Sequence, residues 1–329
     1  MTDIQTLDSQ YVAHTYARAP VTFVRGEGCH LYDEAGKPYI DMGSGIAVSA
    51  LGYGDEGWVA AVSAQAGQLA HASNLYHTAP QALLAQRLCE RTGMKRVFFG
   101  NSGAEANEGM IKFARKIGNA TGRNEIISMN NSFHGRTLAT LAATGRAKYR
   151  KGFEPETPGF KQVDFNDIDA LKAAITDKTC AVLLEPVQGE GGILPADREY
   201  LRQVRALCDE KNLLLLFDEV QCGMGRIGTR FAWQSFGVEP DAFSMAKAIA
   251  NGLPMGGFIV QRKYADTLTV GTHASTFGGT ALVSAAALAV QEAVAAGQLL
   301  QFELDETPVR RSIYMARRRK SSMSSPART

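Results

Sequence analysis

Apolar positions along the chain alternate between two kinds of run. Short continuous runs, at Lys95–Phe99, Glu125–Met129, Thr179–Leu184, Leu213–Phe217, Asp241–Ala246 and Phe258–Val260, read as strands buried on both faces. Between them lie stretches with helical spacing. Asp55–Leu69 and Ala79–Arg91 are helical in pattern, and Met110, Ile111, Phe113, Ala114 and Ile117 continue a helix after the first strand. Arg198–Asn212 carries Tyr200, Leu201, Val204, Leu207 and Cys208 on one face. Thr280–Leu300 is alanine-rich and helical, long enough to bridge two domains. Residues 1–50 hold only short alternating runs, Val21–Val24 and Leu31–Tyr32, with a hairpin turn expected at Asp33–Lys37. Strands alternating with helices predict an α/β fold around a mostly parallel sheet.

The central run, Leu213–Phe217, leads straight into Asp218 and Glu219. Ligands of open α/β sheets sit beyond the carboxyl ends of such strands, so Asp218 stands where a site would be. Three readings fit this stretch. It is the magnesium strand of a P-loop NTPase, a carboxylate facing the pyridine nitrogen of pyridoxal phosphate, or an acidic pair that caps a strand. The chain has no GxxxxGK[ST], and its Gly36-Lys37 is followed by Pro38, which speaks against the first.

Composition narrows the class without choosing among these. The chain has 329 residues, enough for two domains, with 45% hydrophobic and 21% charged residues as in a globular enzyme. The start, MTDIQTLDSQ, is polar and acidic and unlike a secretory signal, and no apolar run reaches membrane-spanning length. Cys29, Cys89, Cys180, Cys208 and Cys222 form no CxxC pair, and the six histidines form no HExxH. We therefore expect reduced thiols, no metal site and a cytoplasmic location. Net charge is +2, yet seven Lys/Arg against three Asp/Glu from Glu303 onward leave a local +4 and a body of −2. The body is no nucleic-acid binder by charge. The basic, Ser-rich stretch from about Phe302 lacks apolar periodicity and reads as an unstructured or non-native end.

The strand ends carry the candidate chemistry. Ser102 followed by Glu105 is a capping-box pattern, so the first strand feeds a small-residue turn and a helix N-terminus whose free amides suit a phosphate; an ordinary helix start reads equally well. Pyridoxal phosphate needs an amine for a Schiff base, a carboxylate at the ring nitrogen, a phosphate cradle and a flat side chain on the ring. Lys247, Asp218, Gly103-Ala104 and Phe133 each follow a predicted strand and supply one of these.

The segments NSGAEANEGMIKFARK, NSFHGRTLATLAATG, LLEPVQGEGGI, LLLFDEVQCGMGRIG, AKAIANGLPMGG and THASTFGGT occur in one order. Together, from about residue 10 to residue 300, the chain resembles the class III, fold-type I pyridoxal-phosphate aminotransferases. GAEANE, FHGRT and DEVQCGMGR are most similar to the acetylornithine type; the ornithine, 4-aminobutyrate and succinyldiaminopimelate types are near alternatives. The resemblance implies a homodimer with shared active sites. It implies ping-pong transfer of an ω-amino group, N5 of N2-acetylornithine, to 2-oxoglutarate.

It also implies roles for particular residues. Lys247 would hold the cofactor and relay protons, and Asp218 would pair with the pyridinium. Val220 would pack on the ring, Gln221 would bond its hydroxyl and Phe133 would stack on it. Gly103 and Ala104 would bind the phosphate through their amides, joined by Thr276 from the neighbouring subunit. Arg136 and Ser275 would face substrate, and Glu185 and Glu190 would flank the site, Glu190 gating an arginine. His134 reads as packing only. Two departures stand out. Ala248-Ile249-Ala250 replaces glycines common in the family. The resemblance ends near Leu300, short of the small C-terminal domain that normally supplies the gated arginine, and none among Arg310–Arg328 can be assigned to it. The expected layout is an N-terminal segment of the small domain over residues 1–50, a large cofactor domain over 51–300, and a tail over 301–329.

Overall fold

A computed structural model of the chain describes residues 3–295; the expectations for the basic tail and for the end of the last helix lie outside them. The N-terminal part forms a three-stranded antiparallel sheet of β1 (Phe23–Glu27), β2 (His30–Asp33) and β3 (Pro38–Ile40). The Asp33 carboxylate accepts the Ala35 and Lys37 amides at 3.0 and 2.9 Å, and Gly36 takes φ 79°, which fixes the expected turn. No residue from 3 to 49 is buried, and Ala50 is the first that is. A paired bridge between Gly28 and Tyr53 and the bond from the Leu51 amide to Asn251 Oδ1 (2.9 Å) join this part to the rest.

Everything else is built on one seven-stranded sheet. Its strands are β4 (Arg96–Gly100), β5 (Glu125–Met129), β6 (Phe160–Val163), β7 (Thr179–Leu184), β10 (Leu214–Asp218), β11 (Ala242–Met245) and β12 (Gly256–Val260), in the order β4-β12-β11-β10-β7-β5-β6; β8 (Val187–Gln188) and β9 (Leu194–Pro195) form a separate small ribbon. β12 alone of the seven is reversed, antiparallel to both β4 and β11, so the sheet is mostly parallel as expected. The edge strand β6 went unread: FKQV is short and only half-covered.

The strand in the middle, β10, is buried at every position. Side chains alternate across a strand, so its two faces enter different cores. Leu215 and Phe217 join Val182, Leu184, Ile127 and Leu201 on one side. Leu214 and Leu216 join Met110, Phe113, Ile126 and Leu183 on the other. The second core is closed by the Gly103–Gly118 helix. The first is closed by the Arg198–Lys211 and Ala281–Ala295 helices. Truncating a fully buried leucine in such a strand costs about 2–5 kcal/mol. This rigidity holds the strand ends, and the groups just beyond them, in fixed relation. Among the described residues, no helix is long and apolar enough to cross a membrane.

Candidate active site

Parallel strands put their carboxyl ends on one edge, and four loops meet there. Phe133 and His134 follow β5, Glu185 follows β7, Asp218 ends β10 and Lys247 follows β11. Phe217 pairs with Leu184, and Asp218 with Ser244, so Glu185 and Asp218 leave adjacent strands side by side.

Asp218 is 3% exposed and is surrounded by donors. Oδ2 accepts Asn107 Nδ2 at 2.7 Å and His134 Nδ1 at 2.8 Å. Oδ1 accepts the Val220 amide at 3.0 Å and the Ser244 hydroxyl at 3.4 Å. Nδ1 is thus the protonated nitrogen of His134, whose buried Nε2 finds no partner among the described residues. His134 therefore does more than pack, contrary to the sequence reading. Sequence reasoning also missed Asn107, a buried amide whose second hydrogen goes to the His134 carbonyl at 2.7 Å.

Lys247 opens a short 3-10 turn (Lys247–Ala250) and takes φ 51°, a left-handed backbone that a side chain adopts only under constraint. Its ammonium makes no hydrogen bond or ion pair with the described residues. Burial lowers its pKa below the ordinary lysine value, against the pull of Asp218, Glu190 and Glu185.

The Gly103–Gly118 helix points its N-terminus at the same edge. Ser102 Oγ caps the Glu105 amide at 3.2 Å, as the capping-box pattern predicts, while the Glu105 carboxylate reaches one residue further back, to the Asn101 amide at 2.6 Å. The Ala106 amide bonds the Ser102 carbonyl, which leaves the Gly103 and Ala104 amides at the open end of the helix. A Cβ at Gly103 would stand 2.8 Å from Val220, so glycine is what lets the helix end and the loop after Asp218 touch.

Two buried carboxyls brace the loops. Glu185 accepts the Phe133 amide on Oε1 (2.9 Å) and the Gly189 amide on Oε2 (3.0 Å). Burial first, then Asp218, pushes its pKa up to about 7. Glu219 accepts the Ala232 and Trp233 amides at 2.6 and 2.7 Å, and burial pushes it up to about 8. Gly189 packs directly on Gln221, whose Oε1 occupies the place a Cβ would take. Beside Gln221 lies a pocket of about 330 Å³. Its walls include Met42, Ile46, Ala47, Val187, Glu190, Ile193, Cys222 and Arg226, a largely apolar lining with two charged groups.

The remaining sequence candidates are more peripheral. Arg136 is exposed, its guanidinium 4.0 Å from the centre of the Tyr149 ring and 5.5 Å from that of Phe133. Glu190 is exposed at the pocket wall. Ser275 Oγ accepts the Gly278 amide (3.0 Å) and Asn101 Nδ2 (3.3 Å), so within the chain it caps its own loop beside the helix end. Thr276 and Phe277 are exposed.

Comparison with known proteins bears on the whole of this region. The family described as aminotransferase class-III matches residues 11–306. The acetylornithine aminotransferase of Methanocaldococcus jannaschii is 54% identical over 291 residues, covering 88% of this chain and 73% of that protein. Among solved structures, the ornithine aminotransferase of Toxoplasma gondii superposes with a TM-score of 0.85 at 31% identity, over 89% of this chain and 71% of that one. The N-acetylornithine aminotransferase of Stenotrophomonas maltophilia gives a TM-score of 0.74 at 37% identity, over 88% and 71%.

Proposed function

Since the chain belongs to the class III aminotransferases, a family of pyridoxal-phosphate-dependent transaminases, we propose that its amino donor is N2-acetylornithine. The δ-amine passes to 2-oxoglutarate, giving N-acetylglutamate 5-semialdehyde and glutamate. The identity to relatives bearing that name supports this donor over ornithine, 4-aminobutyrate or succinyldiaminopimelate.

The residues fit the cofactor, and one observation carries that fit: a buried carboxylate, Asp218, held by four donors on the strand edge that also bears an unpaired, half-buried lysine with a lowered pKa. When bound, pyridoxal phosphate supplies the carbonyl that condenses with an amine and a ring that takes up the electrons of the bond next to it. Lys247 would hold it through Nζ. The same Nζ would serve as the base that takes and returns the proton of the amine-bearing carbon, since burial disfavours its ammonium form. Asp218 would face the ring nitrogen, its orientation set by Asn107, His134 and the Val220 amide. The Gly103 and Ala104 amides would take the phosphate, Val220 and Phe133 would pack on the two ring faces, and Gln221 would bond the ring hydroxyl. Arg136 would grip a substrate carboxylate with its planar fork, with Ser275 and Glu190 beside the substrate.

The same proposal includes a homodimer with shared sites, in which Thr276 serves the neighbouring phosphate. Leu75, Tyr76 and Phe277 are 87, 70 and 59% exposed around that loop, an apolar surface suited to a second copy. Five unpaired cysteines fit a reducing, cytoplasmic setting. Borohydride reduction of the yellow holoenzyme followed by peptide mass spectrometry should label Lys247, and a donor panel should rank N2-acetylornithine first. A label on another lysine, or a better donor in the panel, overturns the corresponding part.

A further inference from the structure

Arg136 has an unusual setting for a residue that must present a charge in one direction. It is exposed, and no carboxylate among the described residues pairs with it. What holds it is the face of Tyr149, 4.0 Å away, and more distantly that of Phe133. Tyr149 is itself fixed at its edge and at its hydroxyl. Its ring meets Phe133 edge-on, 6.1 Å between centres at 89°. Its hydroxyl accepts Arg146 Nη1 at 3.2 Å. Arg146 in turn donates to the Asn131 carbonyl at 3.4 Å and to that of Glu190, tying the shelf to the loop after β5 and the turn between β8 and β9. An aromatic face satisfies a guanidinium's charge without using its N–H groups, so among the described residues no donor of Arg136 is spent.

We propose that Tyr149 is a positioning residue for substrate recognition: its ring holds the Arg136 guanidinium ready to grip a substrate carboxylate and so favours carboxylate-bearing donors. This rests on Arg136 being the carboxylate contact, which the test checks separately. Arg146 and Lys148 also stand 5.7 and 5.1 Å from the ring centre, so the shelf lies in a positive patch that attracts acidic substrates.

The experiment measures the amine-to-cofactor half-reaction of the holoenzyme with N2-acetylornithine and with n-pentylamine, which has no carboxylate. Tyr149→Leu should raise KM for N2-acetylornithine about tenfold, the loss of the aromatic contact and of Arg136 order together. It should leave kcat, and both constants for n-pentylamine, within about twofold. Tyr149→Phe, which keeps the ring, should stay near the parent for both donors. Arg136→Gln should show the same carboxylate-selective loss; if it does not, the reading of Arg136 fails before that of Tyr149. The proposal for Tyr149 is overturned if Arg136→Gln gives the selective loss and Tyr149→Leu does not. It is also overturned if Tyr149→Leu impairs both donors alike, or if Tyr149→Phe is as poor as Arg136→Gln. If the leucine variant does not fold, Tyr149→Met, which fills similar space without an aromatic face, takes its place with the same expected and overturning results.

Discussion

Asn107 offers a sharp test of how the Asp218 carboxylate is held. It is 1% exposed and spends both amide hydrogens, on Asp218 Oδ2 and on the His134 carbonyl, each at 2.7 Å. Asn107→Leu removes one bond to a charged acceptor and one to a neutral acceptor, about 1.5–3 and 0.5–1.5 kcal/mol, so a loss of about 2–4 kcal/mol is expected. Asn107→Asp keeps the shape and reverses the chemistry. Two ionised carboxylates about 3 Å apart would repel by roughly 5 kcal/mol at an effective dielectric of 20, so the new carboxyl takes up a proton instead. Starting from a free value of about 3.9, that uptake costs about 1.36 kcal/mol for each pH unit above it. The sign follows. The new group's folded pKa is raised, so stability is present at low pH and drains away as pH rises. Between about pH 5.5 and 7.5 the Asp variant should lose a further 2–3 kcal/mol relative to the parent, whereas the Leu deficit stays flat. Urea unfolding of the cofactor-free chain at the two pH values measures both. Equal and pH-independent deficits for the two variants would refute the assignment of the Asn107 amide to Asp218.

Three further outcomes follow from the same geometry. Glu185 is raised to about 7 by burial and by Asp218, so the stability tied to its proton is lost as pH climbs from about 4.5 to 7; Glu185→Gln should gain about 2–3 kcal/mol on the parent over that window, and a constant difference would exclude it. His134, Lys247, Cys222 and Asp218 are the titratable groups facing this carboxyl, and the glutamine variant leaves all four in place. Gly189→Ala should push aside the Gln221 amide at little cost to stability, because the end of a flexible side chain yields; cofactor affinity, read by spectroscopic titration, should drop about 3–10-fold for one lost hydrogen bond, and unchanged affinity would remove Gln221 from the site. Mixing Lys247→Ala with Thr276→Ala chains should restore part of the activity through hybrid sites, and no recovery from an active parent would count against sharing.

How much of this the sequence disclosed depended on whether a residue's partner lies near it in the chain. The run at Leu213–Phe217 was legible because five apolar residues in a row, cut off by Asp218 and Glu219, are too short for a buried helix and suit a strand covered on both faces, and its two faces do enter separate cores. The reversed direction of β12 was not, since an apolar run carries no direction. The clue was length: only Ala246–Met255 separates β11 from β12, too little for a helical crossover. Lys247, Asp218, Phe133 and the Gly103-Ala104 turn could be proposed because each lies at the end of a strand or within four residues of it. Asn107 could not be, although a signal existed. It shares the apolar face of Met110, Ile111 and Ala114, three, four and seven residues on, and a polar group on such a stripe needs a buried partner. Local pattern alone places three carboxylates at strand ends, Glu185, Asp218 and Glu219, and only the family resemblance singles out Asp218. The structure shows what each of the three is bonded to. Glu185 is committed to the Phe133 and Gly189 amides, and Glu219 to those of Ala232 and Trp233. Asp218 alone has an oxygen turned to the helix, and that contact is set by register between strands far apart in sequence, which no local pattern encodes.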